Sequence, residues 1–448
     1  MDVFEKISRN LIIPIYNRKY GIRYYDILKQ LQKSQFLPIE TIRENQWTKI
    51  KSILEHSYSN NTFYQNHFKK ANVHPRDIKN WDDYSKIPFL TKDDIRANSD
   101  DIISKDFCKE DMMYKRTGGS TGVPIRLYVD QYAMNFKRAA THRHNEWANY
   151  LPGMKRAALW GDTDKEYGFR EKLYINLYER TIYLDTLKMD EIYLREFVDK
   201  MLKFKPKILF GHGHSLYFFA KYLKDSGCRK INLDGIISTA ETLSPEERLV
   251  MEELFGNIIY DRYGCEELSI IASECDEHDG LHINAEGLFV EVIGGDSTTP
   301  GELVITDLVN KGMPFIRYKV GDMATVLDKP CACGRGLPRL GKVFGRVTDI
   351  LYTPEGKKIS GVSILDTFII HIKGFKQMQI IQNELNCIEF KIIKDITYNE
   401  ESLRILSETV PKIFGKNMNL KIEFVDKISR TPRGKYQFTI CNLKMDKT

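Results

Sequence analysis

The sequence holds 448 residues, 42% of them apolar and 29% charged, which is enough to bury more than one core and predicts two or three domains. The formal net charge of +6 comes from cations scattered among acids, the pattern of a solvated surface rather than of a nucleic-acid-binding stripe. No run approaches the roughly 18 apolar residues that cross a bilayer, the cluster from Leu11 to Tyr16 is broken by Pro14, and eight cysteines without a leader suit a reducing, cytoplasmic compartment.

Residues 1–100 are rich in Lys, Asn, Tyr and helix formers, with an amphipathic run from Ile42 through Leu54, and predict a helical N-terminal region. From about 155 to 265 β-rich runs alternate with helical ones. Ile208 to Phe210 precedes Ser215 to Lys224, Gly235 to Ile237 precedes Ser244 to Phe255, and Ile258 to Tyr260 follows. Ser244-Pro245-Glu246-Glu247 reads as a capping box with proline in the first turn. Strands alternating with helices predict a parallel sheet covered on both faces.

Residues 281–327 read as short strands separated by Gly and Pro, at Leu288 to Ile293, Gly301 to Thr306 and Met323 to Val326, which predicts an antiparallel subdomain. Residues 377–382 and 388–394 are two more strand runs. Leu403, Leu406, Val410, Ile413 and Phe414 share one face of a helix that precedes a strand from Leu420 to Val425. The expected fold class is α/β. A large N-terminal domain over 1–348 combines the helical region 1–100, parallel sheets flanked by helices and a small β-subdomain at about 281–345. A small α+β domain over 349–448 follows, divided from it near the turn signal Thr353-Pro354-Glu355-Gly356.

Thr117-Gly118-Gly119-Ser120-Thr121-Gly122-Val123-Pro124 combines three glycines with three hydroxyls. Its backbone can approach a ligand closely, and its amides and hydroxyls suit phosphate oxygens. It lacks the Gly-Lys-Ser/Thr ending of a Walker A loop. Tyr263-Gly264-Cys265-Glu266-Glu267 follows a predicted parallel strand and places two carboxylates at the edge where open α/β sheets bind ligands. A carboxylate there suits Mg²⁺ shared with nucleotide phosphates, and neighbouring Glu266 and Glu267 both qualify. Gly321-Asp322 ends a strand-like run, and Gly345-Arg346 comes about twenty residues later. An Asp suits a pair of ribose hydroxyls, and a nearby Arg suits the same ribose or a phosphate. Lys435, in Arg430-Thr431-Pro432-Arg433-Gly434-Lys435-Tyr436, is a cationic tip near the end of the chain.

Cys275, His282, Cys331 and Cys333 are three thiolates and one imidazole, the number and softness of a closed tetrahedral Zn²⁺ site with no open position for chemistry. Cys108, Cys228, Cys387 and Cys441 show no partner pattern.

Taken in order, Thr-Gly-Gly-Ser-Thr-Gly-x-Pro, Ala240-Glu241, Tyr-Gly-x-x-Glu, Arg-Tyr-x-x-Gly-Asp, Gly-Arg-x-x-Asp and a terminal Gly-Lys resemble the adenylate-forming, acyl-CoA synthetase-like superfamily. More narrowly the chain resembles the phenylacetate-CoA ligase family and its relatives in capsular polysaccharide biosynthesis. Asn61-Thr62-Phe63-Tyr64-Gln65, Pro75-Arg76-Asp77-Ile78 and Ile87-Pro88-Phe89-Leu90-Thr91-Lys92 resemble opening segments of that branch. The resemblance implies ATP-dependent activation of a carboxylic acid to an acyl-adenylate with release of pyrophosphate, then acyl transfer to CoA. The alternative acceptor is an amine such as an amino sugar.

The resemblance assigns the phosphates to Thr117 through Gly122, with Tyr263 and Gly264 beside the nucleotide. It assigns Mg²⁺ to Glu267, the ribose to Asp322 with Arg346, and the adenine edge to Ala240 and Glu241. Lys435 would bridge the carboxylate and the α-phosphate, and the small domain would be mobile about Thr348 or Asp349. His212 and Trp160, with Phe210 and His214, lie on segments that border the acid pocket in that family. Glu266 stands where many relatives carry Ser or Thr. The segment from Ile350 to Gly356 looks more like the polysaccharide-associated branch, which leaves the acceptor open between CoA and an amine. No nucleic-acid partner is expected, and a homodimer is left open. A binding module without turnover, or a zinc-bearing nucleic-acid binder, is the weaker reading.

Overall fold

The computed structural model describes residues 3–116, 125–160, 174–186, 188–228, 231–346, 350–355, 358–360, 372, 374–429 and 437–443. The first hundred residues are largely helical, with helices at Tyr25–Ser34, Ile39–Asn60 and Thr62–Lys70. The helix Ile39–Asn60 buries Ile42, Ile50, Ile53 and Leu54, so the amphipathic run does face a core. Asn61 starts the next helix by accepting the backbone N–H of Tyr64, a side-chain cap for an otherwise unpaired donor.

A hairpin of β1 (Met113–Arg116) and β2 (Arg126–Val129) follows. Then come β3 (Arg156–Leu159), β4 (Thr181–Leu184), β5 (Ile208–His212), β6 (Gly235–Thr239) and β7 (Ile259–Cys265), all paired in parallel in the order β7-β6-β5-β3-β4. Helices Glu191–Phe204, Gly213–Asp225 and Pro245–Phe255 run between them. The capping box forms as its residues predict. The Glu247 amide donates to Ser244 Oγ at 3.2 Å, and the Ser244 amide donates to Glu247 Oε2 at 3.1 Å.

The antiparallel segment predicted from residue 281 onward is part of the same sheet. β8 (Ser269–Ser273), β9 (Leu281–Ile283), β10 (Leu288–Ile293), β11 (Gly301–Asp307), β12 (Tyr318–Leu327) and β13 (Arg339–Arg346) extend it to eleven strands in the order β10-β11-β12-β13-β9-β8-β7-β6-β5-β3-β4. The switch from parallel to antiparallel occurs where β7 folds back onto β8. That turn is tight: a Cβ at Gly264 would lie 2.5 Å from the Ser269 carbonyl oxygen, closer than any side chain tolerates.

The N-terminal helices cover the antiparallel end, in a core shared by Ile50, Leu54, Phe63 and Tyr64 with Leu281, Leu303, Ile305 and Tyr318. Tyr64 Oη donates to the Pro314 carbonyl at 2.9 Å and accepts from the Ile316 amide at 3.0 Å. Leu90 forms a parallel bridge to Tyr318, which pins the start of β12. A second core under the parallel strands gathers Leu159, Leu209, Phe219 and Met251.

β14 (Ile350–Tyr352) and β15 (Lys358–Ser360) form a hairpin at the predicted turn signal. β16 (Phe375–Glu384), β17 (Cys387–Lys394), β18 (Asn419–Phe424) and β19 (Thr439–Cys441) make a separate sheet ordered β18-β17-β16-β19. Leu406, Val410 and Phe414 of helix Glu400–Phe414 pack there against Ile380, Phe390 and Ile392. This small C-terminal sheet with its own core matches the expected α+β unit. Among the described residues no helix is long and apolar enough to cross a membrane.

Candidate functional site

Because β3, β5, β6 and β7 are parallel, residues just past their C-terminal ends share one edge of the sheet. Trp160 follows β3, His212 ends β5, and Ala240-Glu241 follows β6. The Trp160 and His212 rings meet at 4.4 Å between centroids. His212 is buried and Trp160 is 38% exposed, so of the two it is the tryptophan that presents a face outward. Ala240 has φ +66°, and Glu241 Oε2 accepts the His214 backbone N–H at 3.1 Å.

Of the carboxylates singled out from the sequence, Glu267 in the β7–β8 turn and Asp322 within β12, rather than in a turn after a strand, are each held by a phenol. Tyr263 Oη on β7 donates to Asp322 Oδ2 at 2.6 Å. Tyr318 Oη on β12 donates to Glu267 Oε1 at 3.1 Å. Burial and these anions push both phenols far above their ordinary range, so each stays a donor. Lys137, on helix Gln131–Trp147, pairs with Asp307 Oδ2 at 2.9 Å and donates to the Glu267 carbonyl at 3.3 Å. Glu267 is thus fixed at both backbone and side chain and is half-buried, whereas Glu266 is exposed. The fold thus holds Glu267 more firmly than Glu266.

Arg346 is the cross-strand partner of Asp322 in the β12–β13 register, so the structure brings together two motifs that the sequence separates by about twenty residues. Thr117, Gly118, Gly119, Ser120, Thr121, Gly122, Lys435 and the expected hinge at Thr348 or Asp349 lie outside the described residues. The strands that flank the glycine loop are paired up to Arg116 and Arg126. Just before that loop, burial lowers the Lys115 ammonium, and Glu266 opposes the shift.

Tyr318, Lys137 and Asp307 received no role in the sequence reading. Lys137 left a signal: it sits among Ala133, Phe136, Ala139 and Ala140, all buried on the same helix, and a buried lysine needs a partner. Tyr318 lies inside the Arg-Tyr-x-x-Gly-Asp motif but shows its role only once β12 meets the β7–β8 turn. If the Tyr263–Asp322 pair holds a ribose, as the resemblance implies, Tyr263→Phe should raise KM for ATP about tenfold with kcat changed less than about twofold. Initial-rate kinetics measure this, and an unchanged KM would remove the nucleotide role of the Tyr263–Asp322 pair.

The donor atoms of Cys275, His282, Cys331 and Cys333 all lie within 4.8 Å of one another. Cys275 follows β8, His282 is on β9, and the last two sit in the loop between β12 and β13. The Cys275 and Cys331 sulfurs are 3.8 Å apart, and Cys333 Sγ is 3.3 Å from His282 Nε2. Tetrahedral zinc with bonds of about 2.0–2.3 Å sets its ligands at such separations. His282 Nδ1 lies 3.3 Å from the Leu337 carbonyl, so Nδ1 carries the proton and Nε2 is left for a metal. Burial holds this imidazole neutral, down to about 4, and pushes the Cys275 and Cys331 thiols up, a cost that a dication reverses. The loop is anchored beyond its ligands: Arg335 Nε and Trp147 Nε1 both donate to Gln35 Oε1, at 3.2 and 2.9 Å.

Residues 351–442 match the CapK C-terminal domain family. Over 450 aligned residues the chain is 27% identical to protein CapK of Staphylococcus aureus, covering 98% of both chains. It is 27% identical over 364 residues to a phenylacetate-coenzyme A ligase of Pseudomonas putida, covering 76% of this chain and 78% of that one. Among solved structures it superposes on a 2-hydroxyisobutyryl-CoA ligase in its postadenylation state, in complex with R3-HIB-AMP. The TM-score is 0.72 at 18% identity, with 92% of each chain covered.

Proposed function

Because the chain belongs to the adenylate-forming ligase superfamily and, within it, to the phenylacetate-CoA ligase family, we propose that it uses ATP to activate a carboxylic acid and passes the acyl group to CoA. The observation that carries this reading is the pair of phenol-held carboxylates, Glu267 and Asp322, at the ligand-binding edge of the sheet. In the first half-reaction an acid carboxylate oxygen attacks the α-phosphorus, the bond to the β-phosphate bridge breaks, and pyrophosphate leaves. In the second the acceptor attacks the acyl carbonyl and AMP leaves.

Two anions must meet in the first step, so catalysis consists mainly of alignment and charge compensation. Asp322 holds the ribose hydroxyls with Tyr263 fixing its carboxylate, and Arg346 stands opposite. The backbone and hydroxyls from Thr117 to Thr121, with Gly122, hold the phosphates. Ala240 and Glu241 border the adenine, and Trp160 and His212 border the acid. Magnesium, when bound, neutralises phosphate charge, and Glu267 is the carboxylate suited to hold it. Lys435 joins the two reacting anions, carried by the small domain from residue 349 onward, which turns about Thr348 or Asp349. Cys275, His282, Cys331 and Cys333 hold a structural Zn²⁺.

A second reading, transfer to an amine such as an amino sugar in capsule biosynthesis, has its own support. Four phenylacetate-CoA ligases align with 70–76% of this chain, whereas CapK aligns with 98%, and the C-terminal match is to the CapK domain. Exchange of labelled pyrophosphate into ATP, surveyed over aryl and hydroxy acids, is expected to identify at least one acid. No exchange together with no ATP binding would end the adenylation reading. Mass spectrometry of products formed with CoA or with nucleotide amino sugars then decides the acceptor.

A further inference from the structure

The helical run from Val3 to Lys19 shows two unlike faces. Its inner face is fixed to the body: Ser8 Oγ donates to the Leu177 carbonyl at 3.2 Å, Arg9 Nε to the Pro152 carbonyl at 2.9 Å, and Tyr178 Oη to Asn17 Oδ1 at 2.9 Å. Its outer face carries Val3, Ile7, Leu11 and Ile15, exposed by 72, 43, 55 and 60%. These four residues recur every fourth position.

In a regular helix that spacing overshoots each turn by about 40° and would wind the row around the axis. Here Ser8–Ile12 is a π turn, in which the Ile13 amide donates to the Ser8 carbonyl. A five-residue turn takes more residues to come round, so it reverses the drift. The aliphatic row is thereby kept on one side over the whole run.

Charge selects what this row meets. From Val3 to Arg23 the sequence has five cations, Lys6, Arg9, Arg18, Lys19 and Arg23, against one acid, Glu5. Glu5 is engaged by Arg9, while Lys6, Arg18, Lys19 and Arg23 are exposed. A second copy of the same face would set these cations against their own kind. An aliphatic row rimmed by cations is instead the pattern of a helix lying in the plane of an anionic lipid interface. We propose that this outer face of the N-terminal helical run docks the protein on anionic membrane, with Val3, Ile7, Leu11 and Ile15 entering the acyl boundary and Lys6, Arg18 and Lys19 meeting lipid phosphates.

Co-sedimentation of the full chain with phosphatidylglycerol-containing vesicles, against pure phosphatidylcholine vesicles, tests this. Retention on the anionic vesicles should fall about 100-fold in Ile7→Asp/Leu11→Asp and about 25-fold in Lys6→Gln/Lys19→Gln. Both variants should keep the parent melting temperature, because the substituted side chains are exposed. Equal retention on both vesicle types, or retention unchanged in the aliphatic variant, would overturn the proposal. So would a concentration-dependent dimer that Ile7→Asp/Leu11→Asp dissolves while no vesicle binding is seen, which would assign the face to a second copy.

Discussion

Lys435→Ala is expected to lower acid-dependent pyrophosphate exchange by about 10²- to 10³-fold while leaving ATP affinity within about threefold. The step joins a carboxylate to a triphosphate, so charge that acts only as the new bond forms is worth more than charge that merely binds either partner. With the carboxylates Glu267 and Asp322 proposed to serve metal and ribose, the compensation of the reacting acid and α-phosphate falls to a cation. Lys435 is the lysine of the Gly-Lys motif near the end of the chain. If it is withdrawn before acyl transfer, the variant should still turn over a synthetic acyl-adenylate with the natural acceptor at close to the parent rate. Undiminished exchange would contradict the role. Equal losses in both half-reactions would mean that Lys435 supports the fold or the domain position rather than adenylation.

The second large effect concerns the Cys275–His282–Cys331–Cys333 cluster. Chelator-washed protein should retain about one zinc per chain, and Cys331→Ala should lose it and melt at least about 10 °C lower. Without metal, two buried thiols with raised proton affinity and a neutral His282 are left crowded together with no ligation to hold them. The cluster ties the end of β8, β9 and the β12–β13 loop, and β12 carries Asp322. ATP affinity should therefore weaken in the same variant. Zinc well below one equivalent, with Cys331→Ala melting like the parent, would reduce the cluster to four packed side chains.

Much of this was legible from local chemistry. The helix at Pro245–Phe255 begins where Ser244 and Glu247 cap each other, a signal contained in four residues. The turn after β7 needs Gly264 because a backbone atom approaches it, and the four zinc-type ligands carry their own donor count. What resisted reading was long-range pairing. The fusion of the antiparallel strands into the parallel sheet depends on β7 and β8 forming a hairpin and on β9 reaching β13. No periodicity within either segment specifies that. Likewise Tyr318 faces Glu267 across 51 residues, and Lys137 reaches Glu267 across 130. Such partners are set by which strand comes to lie beside which helix, and that is a property of the finished fold.

The covering of the antiparallel strands by the N-terminal helices also governs how the chain is made. Tyr64 finds both of its hydrogen-bond partners 250 and 252 residues later in the sequence. At ribosomal rates of about 5–20 residues per second, these helices wait roughly 12–50 s for the surface they cover. Through that interval Ile50, Leu54, Phe63 and Phe68 have no sheet beneath them. Nascent chains stalled before residue 281 should therefore recruit chaperones through their N-terminal segment, and chains released after residue 346 should not.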